Sequence, residues 1–302
     1  MALELKGIIP PMITPLTANG DLDEKGLKKL IEHLIAGGVH GIFLLGTNGE
    51  APSLSYTLRK ELITKACQYI DGRVPVLVGI TDTSFSGSLD IAAHSKEAGA
   101  DAVVVAPPYY LPISQEEMVD YLERLIPQLP LPTMMYNMPS CTKLHLSVET
   151  LKKAQELGAV GIKDSSGDMS YFYSLVEAFK ETPEFSIIVG TEMFLPETIL
   201  YGGHGAVAGG ANFFPKLFVD LYNASKEANT EEIKKLREQV YYINNTIYRV
   251  GQYTSRITKG TKCALSVMDI CEDHMAMPLQ RFETKEREKV RHYLDQYNSL
   301  RV

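Results

Sequence analysis

One lysine interrupts an otherwise apolar run of the sequence. Lys163 follows Val-Gly-Ile and has the position of a residue late in a buried strand. Because side chains alternate between the two faces of a strand, Gly161 and Lys163 share one face, the interior face if the sheet is closed. A buried lysine is costly unless it is neutral or paired, and a neutral amine attacks carbonyl carbon. Lys163 is therefore either an imine-forming nucleophile or a structural partner of Asp164 or Glu192.

Imine chemistry also requires groups that carry protons, and hydroxyl side chains occur before Lys163 in the chain. Tyr136 lies at the end of the preceding predicted strand, so its phenol can reach the carbon that the amine attacks. The hydroxyl of Thr47 can both donate and accept a hydrogen bond. Tyr109 or Tyr110 can extend this chain of hydroxyls towards solvent. We therefore predict a proton relay, although each of these residues, taken alone, is also typical of a rim or a turn.

Residues 46–50 follow another buried strand and have the composition of a loop that enters a helix. The backbone amides of Thr47, Asn48 and Gly49 can form a pocket for a carboxylate, because amides at such a position carry partial positive charge. Glu50 can orient this loop through a hydrogen bond, or it can be a solvated acid at the start of the helix. The loop is thus a predicted anion-binding element.

The elements that position these residues follow from a repeated pattern. At Gly38, Gly99, Gly158 and Gly202 a helical pattern ends, and three residues later a small residue opens a short apolar run. This arrangement is typical of a helix C-cap followed by a buried parallel strand. The spacing of the glycines leaves room for further units between them, and strands are predicted near residues 8, 42, 76, 103, 133, 160, 186 and 205.

Eight alternating strand and helix units predict an α/β fold, namely a (β/α)8 TIM barrel over residues 1–225 with a C-terminal helical extension over residues 226–302. A doubly wound open sheet is the alternative. Such a sheet usually carries a glycine fingerprint after its first strand, whereas the corresponding turn here reads Pro-Pro-Met-Ile-Thr-Pro. The barrel is therefore the favoured fold.

A barrel places its active site at the carboxyl ends of its strands. Thr47, Tyr136 and Lys163 all stand at or near such ends. The seventh predicted strand ends at Gly190, and the eighth runs through Val207. We expect these residues to face one cavity.

Composition sets the remaining limits. The 302 residues include 30 Lys and Arg against 37 Asp and Glu, and this net charge of −7 argues against general nucleic-acid binding. No apolar run approaches the roughly 20 residues that span a membrane, and the first residues lack a signal-peptide core, so we expect a cytoplasmic protein. The 4 cysteines form no C-x-x-C pair and the 7 histidines occur singly, so no metal site is expected.

The sequence resembles the dihydrodipicolinate synthase / N-acetylneuraminate lyase family of class I pyruvate aldolases. The similarity covers nearly the whole chain. It is carried by three motifs that occur in this order: Gly46-Thr47-x-Gly49-Glu50, Tyr136-Asn137-x-Pro139 and Gly161-Ile162-Lys163-Asp164.

The resemblance implies a role for each member of the predicted relay. Lys163 would form an imine with pyruvate or another 2-oxo acid, and Tyr136 would act as the general acid and base. Thr47 and Tyr110 would complete the relay, with Tyr110 reaching into the site of the neighbouring subunit across a tight dimer. The resemblance also implies a homotetramer, built as a dimer of dimers, or a dimer.

The resemblance further implies how the substrate is held. The amides of Thr47 and Asn48, in the loop that includes Gly49, would bind the pyruvate carboxylate, and the carbonyl of Val207 would face the substrate near the imine. The covalent imine would replace any cofactor, and no metal is expected.

Departures from the family's motifs bear on the second substrate. Asn48 stands where the synthases of the family carry a second threonine. Cys141 stands where they usually place an arginine that clamps the carboxylate of aspartate semialdehyde, and a thiol cannot replace a bidentate guanidinium. Lys143 is the nearest cation in sequence. We therefore predict a Schiff-base lyase or aldolase that joins or cleaves pyruvate and a hydroxy-aldehyde, with a 2-keto-3-deoxy sugar acid as the condensed substrate.

Two alternatives stay open from the sequence. The first is a 4-hydroxy-tetrahydrodipicolinate synthase, acting on pyruvate and aspartate semialdehyde, in which another group replaces the missing arginine. The second is a non-catalytic protein that binds 2-oxo acids. The presence of Lys163, Tyr136, Thr47 and Tyr110 together argues against this second alternative.

Overall fold

The computed structural model describes residues 5–300, and its centre is an eight-stranded parallel sheet. The hydrogen-bonded order is β1-β8-β7-β6-β5-β4-β3-β2, and a parallel bridge between Pro11 and Phe43 joins the two ends of the sheet. The fold is therefore the predicted (β/α)8 barrel. Its strands are β1 (Gly7–Ile8), β2 (Ile42–Leu44), β3 (Val76–Gly79), β4 (Ala102–Val105), β5 (Thr133–Asn137), β6 (Ala159–Asp164), β7 (Ser186–Val189) and β8 (Gly205–Ala206).

Helices alternate with the strands and continue beyond the last one. Those connecting the strands are α1 (Glu24–Ala36), α2 (Tyr56–Ile70), α3 (Phe85–Ala98), α4 (Gln115–Leu125), α5 (Pro139–Thr142), α6 (Val148–Glu156), α7 (Met169–Ala178) and α8 (Leu195–Leu200). After β8 follow α9 (Pro215–Lys226), α10 (Thr230–Asn245), α11 (Arg256–Val267) and α12 (Thr284–Leu300). The helix predicted from Gly260 begins four residues earlier, at Arg256.

The four glycines of the repeated pattern have the backbone that the pattern predicts. Gly38, Gly99, Gly158 and Gly202 have φ values of +81°, +91°, +107° and +101°. Residues with a Cβ are strained in this region, so a glycine ends each helix at little cost. The chain can then reverse and enter the next strand within three residues.

Two sets of packed side chains lie on opposite sides of the sheet. The inner set fills the barrel and includes Phe43, Met134 and Tyr136. The outer set lies between strands and helices and includes Ile162. Lys163 is next to Ile162 in β6 and therefore points into the barrel, as the alternation of side chains predicts.

The helices after α9 pack on the barrel. Tyr297 of α12 stacks on Phe214 with ring centroids 4.1 Å apart, and Tyr248 packs edge-on against Phe213 at 6.2 Å. Side chains from α10 and α11 belong to the same hydrophobic core as those of the barrel. The predicted boundary between residues 225 and 226 falls in the last turn of α9. No helix within residues 5–300 combines the length and apolarity needed to cross a membrane.

Candidate active site

Lys163 stands on β6 with its side chain inside the barrel and is only 5% exposed. A bulge sets its register, because Thr133 pairs with Ala159 whereas Met134 pairs with Gly161. The extra residue of β6 brings Lys163 directly opposite Tyr136 on β5. The two side chains that the sequence assigned to imine chemistry are thus neighbours across one pair of strands.

The amine of Lys163 has aromatic rather than acidic neighbours. Its Nζ lies 3.7 Å from the ring centroid of Tyr136 and 5.2 Å from that of Phe43. The neighbouring carboxylate of Asp164 instead accepts hydrogen bonds from Asn137 Nδ2 at 2.8 Å and from the Ser166 hydroxyl at 2.9 Å. Within the described residues Lys163 forms no ion pair, so a structural ion pair does not account for its burial.

Tyr136 links the amine to a second hydroxyl. Its OH lies 3.3 Å from Oγ1 of Thr47, and either group can be the donor. Burial raises the pKa of Tyr136, but the Lys163 amine and hydrogen bonds from Thr47 and Ser165 outweigh this, and the pKa falls below its usual value. A phenol that ionises more readily can exchange a proton with a group on the amine side or on the threonine side.

A cavity of about 720 Å³ opens at the carboxyl ends of the strands and brings most of the predicted residues together. Gly49 and Tyr110 do not line it. The predicted residues on its wall are Thr47, Asn48, Glu50, Tyr136, Cys141, Lys163, Gly190 and Val207.

The predicted carboxylate-binding loop lies on the wall of this cavity and is held by hydrogen bonds behind it. The Thr14 hydroxyl donates to the carbonyl of Gly49 at 2.7 Å, and the amide of Glu50 donates to the carbonyl of Thr47 at 3.1 Å. The side chain of Glu50 is only 4% exposed and forms an ion pair with Lys262 of α11. Glu50 therefore connects the loop to the helical extension.

The position of the missing arginine stays without a cation. Cys141 is an exposed residue of the short helix α5 and lines the cavity. Lys143 has an exposed side chain whose Nζ donates to the carbonyl of Ser140 at 3.1 Å, and it does not line the cavity. Among residues 5–300, Lys163 is the only lysine or arginine on the cavity wall.

A second polar cluster lies in the same cavity. A methyl group placed on Gly209 would meet Asn48 Nδ2 at 3.0 Å, the Tyr248 hydroxyl at 3.1 Å and Glu192 Oε2 at 3.7 Å. The amide of Gly210 donates to Glu192 Oε2 at 2.8 Å. Glu192 Oε1 and the Tyr248 hydroxyl are both buried, and the Tyr248 side chain interacts with the Glu192 carboxylate. Burial raises the pKa of Glu192 to about 7.

Sequence reasoning missed this second cluster as part of the site. Glu192 follows Gly190 after β7, so its position at a strand end was a usable signal. Tyr248 comes from the extension and carries no such signal. The extension also supplies Ser255 and Thr258 to the cavity wall.

Tyr110 lies outside this cavity on the surface. It is 89% exposed, has a φ of +81°, and is followed by Leu111, which is 71% exposed. Its neighbour Tyr109 lines a smaller cavity of about 230 Å³, whose wall also includes Thr47 and Tyr136. Thr47 and Tyr136 thus line both the Lys163 cavity and this smaller cavity.

Comparisons with known proteins identify the family of the chain. Residues 4–297 match the Dihydrodipicolinate synthetase family. YagE of Escherichia coli, a putative 2-dehydro-3-deoxy-D-gluconate aldolase, is 36% identical over 227 residues, which cover 74% of this chain and 75% of YagE. The structure of YagE in complex with pyruvate has a TM-score of 0.91, at 29% identity, and covers 97% of this chain and 99% of that one.

Relatives named as synthases are also similar. A 4-hydroxy-tetrahydrodipicolinate synthase of Protochlamydia amoebophila is 30% identical over 280 residues, which cover 89% of this chain and 93% of the synthase. The structure of a dihydrodipicolinate synthase from Bacteroides thetaiotaomicron has a TM-score of 0.95 at 50% identity, and covers 98% of this chain and 100% of that chain. The chain therefore belongs to the dihydrodipicolinate synthetase family and is a class I lyase.

Proposed function

We propose that Lys163 forms an imine with pyruvate and that the enzyme joins or cleaves pyruvate and a hydroxy-aldehyde, with a 2-keto-3-deoxy sugar acid as the condensed substrate. The observation that carries the proposal is the buried amine of Lys163. It has no acidic partner among residues 5–300 and lies 3.7 Å from the ring of a tyrosine that contacts a threonine hydroxyl. Burial of an amine without a counter-charge is costly, and a nucleophile at this position accounts for it.

The proposed reaction begins with attack of Nζ on the carbonyl carbon of pyruvate. The carbonyl oxygen takes up one proton to give the carbinolamine hydroxyl and a second to leave as water. The neutral amine gives up its two protons, so that one C=N bond replaces the C=O bond and two N–H bonds. Tyr136 supplies and removes these protons, and Thr47 connects it to the next proton carrier. Loss of a methyl proton then gives an enamine, whose carbon attacks the aldehyde in the condensation direction.

The loop of residues 46–50 supplies the binding of the carboxylate in this proposal. The amides of Thr47 and Asn48, with that of Gly49 behind them, act on the carboxylate through their partial positive charge. Gly190 and Val207 line the same cavity. The loop replaces the cation that a carboxylate would otherwise require.

The cavity supports a hydroxylated second substrate. Glu192 and Tyr248 place a buried carboxylate and a buried hydroxyl on the cavity wall beside Asn48, and groups of this kind can bind ligand hydroxyls through hydrogen bonds. Hydroxyl groups of a sugar acid can both donate and accept there. The relative YagE bears the name of an aldolase for such an acid.

The second candidate, 4-hydroxy-tetrahydrodipicolinate synthase, is favoured by the names of other relatives. Its substrate aspartate semialdehyde has its own carboxylate, and no lysine or arginine besides Lys163 lines the cavity within residues 5–300. Assays with pyruvate and either aspartate semialdehyde or a panel of hydroxy-aldehydes separate the two. Product from the semialdehyde alone would replace the sugar-acid proposal with the synthase.

Borohydride reduction in the presence of pyruvate tests the core of the proposal. Mass spectrometry of the digested protein is expected to find the reduced pyruvate adduct on Lys163. An unmodified Lys163 under conditions that reduce imines would contradict it. An adduct without turnover on any aldehyde would favour a 2-oxo-acid-binding protein instead. Activity that survives a chelator is expected, because the imine takes the place of a metal.

The proposal includes an assembly of at least two chains in the cytoplasm, and it extends to a homotetramer. Tyr110 and Leu111 are exposed side by side near the smaller cavity, and the Tyr110 hydroxyl of a partner chain would continue the relay at Thr47. The four cysteines are all free, which fits a reducing compartment.

A further inference from the structure

Glu50 and Lys262 form an ion pair that is almost completely buried. Glu50 Oε1 lies 2.5 Å from Lys262 Nζ, and the two side chains are 4% and 0% exposed. Glu50 ends the predicted carboxylate-binding loop, whereas Lys262 lies in α11 of the helical extension. The pair therefore joins two parts of the chain that are far apart in sequence, at a point directly behind the cavity wall.

Further hydrogen bonds turn this pair into a small network. Lys262 Nζ also donates to the carbonyl of His274 at 2.6 Å, and the amide of Ala276 donates to Glu50 Oε2 at 2.9 Å. Both carboxylate oxygens of Glu50 are thus bound by the extension. A buried charge is tolerated when it is paired and hydrogen-bonded in this way. The network fixes the direction of the Glu50 side chain.

The backbone of Glu50 transmits this constraint to the loop. Glu50 has a φ of +56°, a strained conformation for a residue with a Cβ. Its amide closes the turn by donating to the carbonyl of Thr47 at 3.1 Å. A conformation of this kind persists only when the surroundings enforce it, and the contacts to Lys262 and Ala276 are the ones that hold the side chain. The orientation of the loop amides therefore depends on the extension.

We infer that Lys262 is a positioning residue for pyruvate binding: through Glu50 it holds the loop of residues 46–50 in the geometry that receives the carboxylate. The inference deepens the proposed function and rests on it. Lys262 does not line the cavity and therefore does not touch the substrate itself. Its helix reaches the cavity one turn earlier, at Thr258, so the same helix forms part of the wall and braces the loop.

The test is the pyruvate concentration that gives half-maximal borohydride trapping on Lys163. Lys262→Met leaves the Glu50 carboxylate buried without its cation, so we expect this concentration to rise by about tenfold. The maximal trapping rate at saturating pyruvate is expected to change far less, because Lys163 and Tyr136 stay in place. A fall in the maximal trapping rate as large as the rise in the half-maximal pyruvate concentration would indicate general damage. This result would overturn the positioning role.

Arg287→Met is the matched control. Arg287 of α12 forms an ion pair with Asp273 at 2.8 Å, also within the extension, but without contact to Glu50. Its half-maximal pyruvate concentration is expected to equal that of the wild type. An equal rise in Lys262→Met and Arg287→Met would overturn the inference, because the effect would then follow from loosening the extension as a whole.

Glu50→Gln keeps the test valid if Lys262→Met does not fold. The glutamine side chain has the same shape as that of Glu50 and can still accept a hydrogen bond from the Ala276 amide. The substitution removes only the negative charge that pairs with Lys262. We expect a rise in the same direction, and in the double variant a combined effect smaller than the product of the single effects. If Glu50→Gln has the half-maximal pyruvate concentration of the wild type, only the inference about Lys262 is overturned. If the wild-type protein itself gives no trapped adduct, the proposed function is overturned.

Discussion

The Nζ atom of Lys163 lies 3.7 Å from the centre of the Tyr136 ring, and the two residues are direct partners on adjacent strands. The phenol of Tyr136 is at the same time 3.3 Å from the Thr47 hydroxyl. One tyrosine thus connects the proposed nucleophile with the proposed proton relay.

Lys163→Met is expected to abolish trapping of pyruvate and to stabilise the protein. The substitution removes a buried amine that has no ion-pair partner in the described residues, and the thioether fits an apolar interior. We expect the free energy of unfolding to rise by about 1 kcal/mol. Thermal unfolding and mass spectrometry after borohydride reduction measure the two effects. Lys153→Met, on an exposed residue paired with Glu156, is the control and should change neither.

Tyr136→Phe is expected to slow the exchange of pyruvate methyl protons with deuterated water. This exchange requires imine and enamine but no aldehyde, so it is measurable by NMR before the second substrate is known. Loss of a positioned acid and base costs about 10²–10³-fold in rate. Tyr242→Phe, whose hydroxyl bonds to Tyr293 outside the cavity, should exchange at the wild-type rate. Full exchange in Tyr136→Phe would exclude Tyr136 from the relay.

Glu192→Gln is expected to alter how stability depends on pH. The carboxyl has its pKa raised by burial from 4.5 to about 7, so between these values the folded protein binds more protons than the unfolded chain. The free energy of unfolding contributed by Glu192 therefore falls as pH rises through this window, by about 3 kcal/mol in total. Between pH 5 and pH 8, the melting temperature of Glu192→Gln minus that of the wild type should increase with pH. A constant difference across the series would contradict the raised pKa.

Gly161→Ala is expected to destabilise the sheet beside Lys163. A Cβ on Gly161 would lie 2.5 Å from the carbonyl oxygen of Ser186 on β7, so the two strands would have to separate. Overpacking of this kind costs about 3 kcal/mol. Denaturant titration measures it, with Gly72→Ala as the comparison, because a Cβ there meets open space and only the positive φ is penalised. Equal losses in both variants would show that the strand contact is not the cause.

Chains carrying Tyr110→Phe and chains carrying Lys163→Ala are expected to complement each other. In a dimer in which Tyr110 crosses to the partner, one of the two mixed sites has both wild-type residues. Mixed dimers purified with two different tags should recover up to about half of the wild-type exchange activity. Each variant alone should stay far below this. Mixed dimers no more active than the two variants alone would place Tyr110 outside the partner's site.

The pattern of the sequence determined the barrel and the location of the site. The glycines at Gly38, Gly99, Gly158 and Gly202 predicted where helices end and strands begin, because the backbone at such a position is a local property of the chain. A lysine in an apolar strand is equally local, since the alternation of side chains sets its face. The fold and the placement of Lys163 near Tyr136 and Thr47 were therefore accessible without the structure, whereas Tyr110, predicted for the same relay, lies outside the cavity.

Only the tertiary structure decided which residues complete the site. The bulge that puts Lys163 opposite Tyr136 depends on pairing between two strands, and the contact of Glu50 with Ala276 spans 226 residues of sequence. Tyr248 and Lys262 come from the extension, where the sequence pattern predicts burial but not what these residues are buried against. Packing between distant segments has no period in the sequence, so these contacts become visible only once the barrel closes and the extension lies against it.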